Sequence, residues 1–101
     1  MKSNKKMECV KIIVKGLVQG VGYRFFVKQT AMSLNVKGFV KNLDNGDVLI
    51  IAKGEHQDLK SFINACKQGP RFAVVKNLVV NPCKSFEFER IKNFETFKVL
   101  F

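Results

Sequence analysis

The sequence has no tryptophan, a single histidine and no cysteine pair spaced Cys-x-x-Cys. One isolated histidine and scattered cysteines do not make the clustered ligand set of a structural zinc site. The three cysteines are odd in number and widely spaced, so a disulfide framework is not indicated either. We therefore expect reduced thiols, as in a cytoplasmic protein, with Cys9 and Cys66 packed in the core.

Long apolar runs and acidic residues are also scarce. No stretch approaches the roughly 20 apolar residues of a membrane span, and Glu8, Lys11 and Lys15 interrupt the segment that could otherwise form the centre of a signal peptide.

Only 8 Asp and Glu oppose 18 Lys and Arg, which gives a formal net charge of +10. Such a balance attracts anions. A plain lysine-rich surface explains the same charge, because Arg accounts for only three of these cations.

Phenylalanine is abundant, with ten residues, and the apolar (47%) and charged (26%) fractions are ordinary for a globular protein. A chain of 101 residues has the length of one domain. We assign residues 1–6 to a basic flexible tail and residues 7–101 to a single domain. A monomer is expected by default for a small, highly charged domain, and no membrane partner is expected.

Hydrophobic periodicity predicts alternating strands and helices. Strands are predicted at residues 8–15, 37–43, 48–53, 72–80 and 95–100. Helices are predicted from residue 23, with Asn35 or Gly38 as the stop, and at 57–67, whereas residues 86–91 are ambiguous. Asn45-Gly46 lies between two strand-like runs and predicts a hairpin. This order predicts an α+β, ferredoxin-like β-α-β-β-α-β sandwich, with an antiparallel sheet and two helices on one face.

The loop between the first strand and the first helix is rich in glycine, with Gly16, Gly20 and Gly22 in seven positions. Glycine lets the backbone turn tightly and approach a ligand closely. The first amides of the following helix have no partner within the helix and carry the positive end of its dipole. This arrangement is typical of a phosphate or carboxylate site, although the spacing matches neither a Walker loop nor a dinucleotide fingerprint.

Two polar residues near this loop each allow two interpretations. Arg24, in the first turn of the predicted helix, is either an exposed cation that tolerates the helix dipole or a ligand for a bound phosphate. Asn42, near the end of the second strand, either bonds the adjacent turn or holds a water molecule by donating and accepting at once.

Two stretches around these residues resemble the signature motifs of the acylphosphatase family. They read Gly16-x-Val18-Gln19-Gly20-Val21-x-Tyr23-Arg24 and Gly38-Phe39-Val40-x-Asn42-x-x-Asn45-Gly46-x-Val48. Two weaker similarities are Gly69-Pro70-x-x-Ala73-x-Val75 and Phe94-x-x-Phe97-x-Val99. The resemblance extends over about residues 8–101, although the 81–92 segment is longer than expected for the family.

The resemblance implies an enzyme that hydrolyses the carboxyl-phosphate bond of small acyl phosphates to a carboxylate and inorganic phosphate, without a metal or cofactor. It implies that Arg24 binds the phosphate and that Asn42 orients the attacking water. It also implies a cradle of backbone amides, from Gln19, Gly20, Val21, Gly22 and Tyr23. No nucleic acid partner is expected.

Two alternatives remain. RNA-recognition domains share this element order and are often basic, and Lys37-Gly38-Phe39 matches the start of their signature, which then fails from Val40 onward. A catalytically silent relative would keep the fold, but both Arg24 and Asn42 are present. His56 stands alone, and no cysteine follows a glycine loop at a helix N-terminus, so neither residue type is assigned to catalysis.

Overall fold

A computed structural model describes residues 6–101 of the chain. Within this range the elements are β1 (Met7–Leu17), α1 (Tyr23–Ser33), β2 (Lys37–Asn42), β3 (Val48–Glu55), α2 (His56–Gln68), β4 (Val74–Pro82), α3 (Ser85–Ile91) and β5 (Phe97–Leu100). The tail predicted at residues 1–6 lies outside the described residues except for Lys6. None of the three helices in the described range is long and apolar enough to cross a membrane.

The five strands form one sheet in the order β4-β1-β3-β2-β5. Strand β1 pairs antiparallel with β3 and β4, and β2 pairs antiparallel with β3. The predicted ferredoxin-like fold is confirmed, with β4, β1, β3 and β2 antiparallel as predicted, whereas the short terminal strand β5 runs parallel to β2. The chain between β4 and β5, which contains α3, passes from one edge of the sheet to the other, where β5 pairs with β2.

Helices α1 and α2 cover one face of the sheet, as predicted. The buried stripe of α1 consists of Tyr23, Val27 and Ala31, and that of α2 consists of Leu59, Phe62 and Cys66. These stripes pack on inward-facing strand residues, among them Ile12, Val14, Val40, Ile50 and Ala52. Of the two predicted stops for α1, Asn35 and Gly38, the structure has the first, because α1 ends at Ser33 and Asn35 adopts a left-handed backbone (φ 58°) just after it.

The ambiguous segment 86–91 is part of α3, which covers the opposite face of the sheet. Ile91 packs there against Phe39 and Ile51 in a second, smaller core. The Arg90 guanidinium lies 4.5 Å above the centre of the Phe39 ring. The sheet therefore carries two helices on one face, as expected, and a third helix on the other.

A disulfide joins Cys9 to Cys83, so the expectation of reduced thiols is wrong for these two residues. The pairing of Val10 with Pro82 in the β1–β4 ladder brings the adjacent cysteines together, with their Cα atoms 5.3 Å apart. They are 74 residues apart in sequence, so local patterns do not connect them. Cys66 is a buried free thiol, as expected, and burial raises its pKa to about 12.

Thiol titration tests this assignment. In denaturant without reductant, one thiol per chain should react with a chromogenic thiol reagent, and after reduction three should react. In the native protein Cys66 should react slowly, because its thiol is buried and stays protonated well above neutral pH. Three reactive thiols without reductant would show that Cys9 and Cys83 are not joined.

Strand β2 approaches β3 closely at Gly38, whose φ of 146° is unfavourable for other residues. A Cβ atom there would collide with the carbonyl oxygen of Ile51 and lie 2.9 Å from the Cα of Ala52. Because both neighbours are backbone atoms of a central strand, they cannot easily move aside.

Gly38→Ala should therefore lower the free energy of unfolding by at least about 3 kcal/mol. Gly46→Ala is the matched control, because Gly46 also has a positive φ (97°) but a Cβ there would meet open space. The control should lose only the strain of its backbone, about 1–2 kcal/mol. Urea denaturation measures both losses, and equal values would contradict the close approach of β2 to β3.

Candidate active site

The turn from β1 into α1 is built on two left-handed glycines. Gly20 has a φ of 75°, and Gly22, the N-cap residue of α1, has a φ of 79°. The carbonyl of Gly22 accepts the first helical hydrogen bond, from the amide of Phe26 at 3.1 Å. No side chain in the described range caps this helix end. The amides before Phe26 are thus available to an acceptor outside the helix.

Tyr23 anchors this helix end to the core. Its ring is buried, and its hydroxyl donates to the carbonyl of Cys66 in α2 at 2.8 Å. Burial raises the pKa of Tyr23 above its ordinary value, so the phenol stays neutral and keeps donating. The side chain of Tyr23 is therefore structural, while its backbone belongs to the turn.

Arg24 reaches from α1 to the end of β5. Its Nη1 donates to the carbonyl of Leu100 at 2.7 Å, and its guanidinium carbon lies 4.7 Å from the centre of the Phe101 ring. No carboxylate in the described part of the chain is paired with it. These contacts orient the guanidinium and leave donors for an anion, since an arginine carries five N–H groups.

Asn42, the last residue of β2, has a buried side-chain oxygen. Its Oδ1 has no hydrogen-bond partner among residues 6–101, so it does not bond the adjacent turn. A buried acceptor without a donor costs about 1–3 kcal/mol. Such an atom calls for a water molecule or ligand as its donor.

Arg24 and Asn42 meet in one pocket of about 460 Å³. The pocket is lined by Val18, Gly20, Gly22, Tyr23, Arg24, Phe25, Lys28, Asn42, Val99 and Phe101. No acidic residue of the described chain lines it, whereas Arg24 and Lys28 bring two cations one helical turn apart on α1. The pocket is therefore suited to an anion, and Phe25, Val99 and Phe101 give it an apolar side.

Five of the residues predicted for the site line this pocket: Gly20, Gly22, Tyr23, Arg24 and Asn42. Gln19 and Val21 do not. The Gln19 side chain binds the β2–β3 turn, and Val21 packs on the main core, so only their backbone amides remain as candidate ligands.

Sequence reasoning missed five lining residues, which are Val18, Phe25, Lys28, Val99 and Phe101. Val18 belongs to the first motif but was given no role. Lys28 could have been found, because it follows Arg24 by four positions on one helix face, and Phe25 adjoins Arg24. Val99 belongs to the weaker similarity at residues 94–99 but was given no role, and Phe101 had no local signal. The parallel pairing of β5 with β2 brings this end of the chain to the pocket.

The architecture and the pocket define a class, the ferredoxin-like α+β proteins with a cationic pocket between the β1–α1 turn and the end of β2. A family model described as acylphosphatase matches residues 10–96 of the chain. An acylphosphatase of Archaeoglobus fulgidus is 41% identical over 95 residues, which cover 94% of this chain and all of that protein. An acylphosphatase of Thermotoga petrophila is 49% identical over 74 residues, which cover 73% and 82%.

The crystal structure of acylphosphatase from Bacillus subtilis is similar in fold, with a TM-score of 0.84 and 35% sequence identity. The match covers 95% of this chain and all of the other. The chain belongs to the acylphosphatase family.

Proposed function

We propose that the protein is a metal-independent acylphosphatase, which hydrolyses small acyl phosphates to a carboxylate and inorganic phosphate. The observation that carries this proposal is the meeting of three features in one pocket. They are the glycine turn at the start of α1, the oriented guanidinium of Arg24 and the unpartnered Oδ1 of Asn42.

The phosphate group is bound by Arg24 and by amides of the turn, over residues 19–23. Charge in phosphoryl transfer is spread over three equatorial oxygens of a loose transition state, so fixed positive groups stabilise it without a covalent intermediate. The bond to Leu100 and the stacking on Phe101 support this role, because they hold the guanidinium before the substrate arrives.

The attacking water donates a hydrogen bond to Oδ1 of Asn42. It adds to phosphorus in line with the bond to the carboxylate oxygen, that bond breaks with its electron pair on the carboxylate, and the proton of the water ends on inorganic phosphate. A carboxylate is a good leaving group, so no strong general acid is needed. The acyl part of the substrate rests against Phe25, Val99 and Phe101, the apolar side of the pocket.

The sequence predicts a monomer in the cytoplasm, and both remain part of the proposal. The disulfide between Cys9 and Cys83 argues against a cytoplasmic location, because such bonds are rare in the cytosol outside hyperthermophiles.

The RNA-binding alternative loses its main sequence argument. Phe39, which would have stacked on a base, is fully buried beneath α3.

Arg24→Gln should lower kcat/KM for benzoyl phosphate by at least about 100-fold, because a preorganised donor to the phosphate is lost. The affinity for inorganic phosphate, measured as a competitive inhibitor, should fall as well. Arg71→Gln is the matched control, since Arg71 also stacks on a ring, that of Phe72, but lies outside the pocket. Equal rates for the Arg24 variant and the wild type would contradict the assignment of Arg24 to the site.

The wild-type enzyme should keep its activity in EDTA, because no metal is needed, and a loss of activity there would contradict metal independence.

Asn42→Ala should abolish most turnover while the inhibition constant of inorganic phosphate stays near the wild-type value, because the water and not the phosphate loses its partner. Asn81→Ala, an exposed asparagine on β4, is the control and should leave both constants unchanged. A loss of phosphate affinity in proportion to turnover would instead make Asn42 a phosphate-binding residue.

A further inference from the structure

The side chain of Gln19 bridges two segments of the site. Its Nε2 donates to the carbonyl oxygen of Leu43 and to that of Asp47, each at 2.8 Å, in a partly buried position. These two residues begin and end the turn between β2 and β3. Gln19 itself belongs to the turn between β1 and α1, so the bonds join parts of the chain 24 and 28 residues apart.

The chemistry of the carboxamide fits this place. Asp47 O also accepts the amide of Leu43 at 2.8 Å, and Leu43 O accepts the amide of Gly46 at 3.2 Å, so Nε2 adds a second bond to each carbonyl that closes the turn. A carboxamide nitrogen has two N–H donors, one for each carbonyl oxygen. A carboxylate in the same place would have no donor for these carbonyl oxygens and would repel them.

Chain connectivity gives these bonds a consequence for the pocket. Gln19 directly precedes Gly20 of the glycine turn, and Leu43 directly follows Asn42. The carboxamide therefore fixes the strand end that carries Asn42 against the turn that begins α1. The nearby ion pair of Lys15 with Asp47, at 2.7 Å, also ties the hairpin to β1, but Lys15 is exposed, and exposed pairs contribute little.

We propose that Gln19 is a positioning residue, whose side chain fixes Asn42 relative to the phosphate-binding turn. This inference rests on the proposed function. Oδ1 of Asn42 orients the water only if it stays in register with the bound phosphate, and a displacement of about 1 Å can cost on the order of 100-fold in rate. The role is separate from that of the Gln19 backbone amide, which every substitution except proline retains.

Gln19→Met tests the proposal, because methionine keeps the length of the side chain and removes both donors. We expect kcat for benzoyl phosphate to fall by about 10- to 100-fold, while the inhibition constant of inorganic phosphate changes by less than about threefold, since Arg24 and the turn amides remain. Gln29→Met, an exposed glutamine on α1 outside the pocket, is the control and should match the wild type.

Two kinetic results would overturn the proposal. A kcat of Gln19→Met within about threefold of the wild type would show that the bonds do not matter for turnover. A parallel loss of kcat and phosphate affinity would show that Gln19 acts on the phosphate cradle instead of on Asn42.

Hydrogen exchange measured by NMR gives a readout that does not need activity. The amides of Leu43 and Gly46 should exchange faster in Gln19→Met, while amides in the β1–β4 ladder keep the wild-type rates, which separates a local loosening from general destabilisation. If the wild type fails to hydrolyse acyl phosphates, the proposed function is wrong, and the exchange rates alone then decide whether Gln19 holds the hairpin. Unchanged rates at Leu43 and Gly46 would refute that role.

Discussion

The N-terminus of α1 concentrates positive potential, no acidic side chain among residues 6–101 balances it, and the pocket is arranged around this constraint. The helix begins at a left-handed glycine that no side chain of the described range caps, and Arg24 adds a full charge where the helix dipole is already positive. Such a placement costs roughly 0.3–1 kcal/mol. It persists because the helix end is held from two sides, by the Tyr23 hydroxyl on Cys66 and by the Arg24 guanidinium on Leu100.

The opposite wall of the pocket depends on how tightly β2 fits into the sheet. Gly38 allows the backbone of β2 to approach β3, and β5 pairs with the other edge of β2. This pairing brings the Leu100 carbonyl within reach of Arg24 and leaves Asn42 at the strand end. Arg24 on α1 and Asn42 at the end of β2 thus line the pocket from two elements, and the Gln19 side chain joins the β1–α1 turn to the β2–β3 turn beside them.

The other face of the sheet stabilises this arrangement without touching the pocket. Helix α3 covers Phe39 and Ile51, and the Cys9–Cys83 disulfide fixes the chain just before α3 begins. The backbone amide of Cys83 also donates to the carbonyl of Cys9 at 3.0 Å. A covalent link across so long a loop restricts the unfolded chain and typically contributes about 2–4 kcal/mol. This contribution exceeds the cost of placing Arg24 at the positive end of the α1 dipole.

Features that depend only on neighbouring residues could be predicted from the amino-acid sequence. The apolar stripes of α1 and α2, the hairpin at Asn45-Gly46 and the glycine turn before Arg24 are all present, because periodicity and glycine backbone freedom act over a few positions. The family motifs also singled out Arg24 and Asn42, which line the same pocket.

Contacts between distant segments could not be predicted in this way and are seen only in the folded chain. The parallel direction of β5, the partner of Cys9, the face covered by α3 and the bonds of Gln19 to the β2–β3 turn join residues far apart in the chain. No local pattern encodes such pairs, since each is set by strand register and packing once the whole sheet has formed.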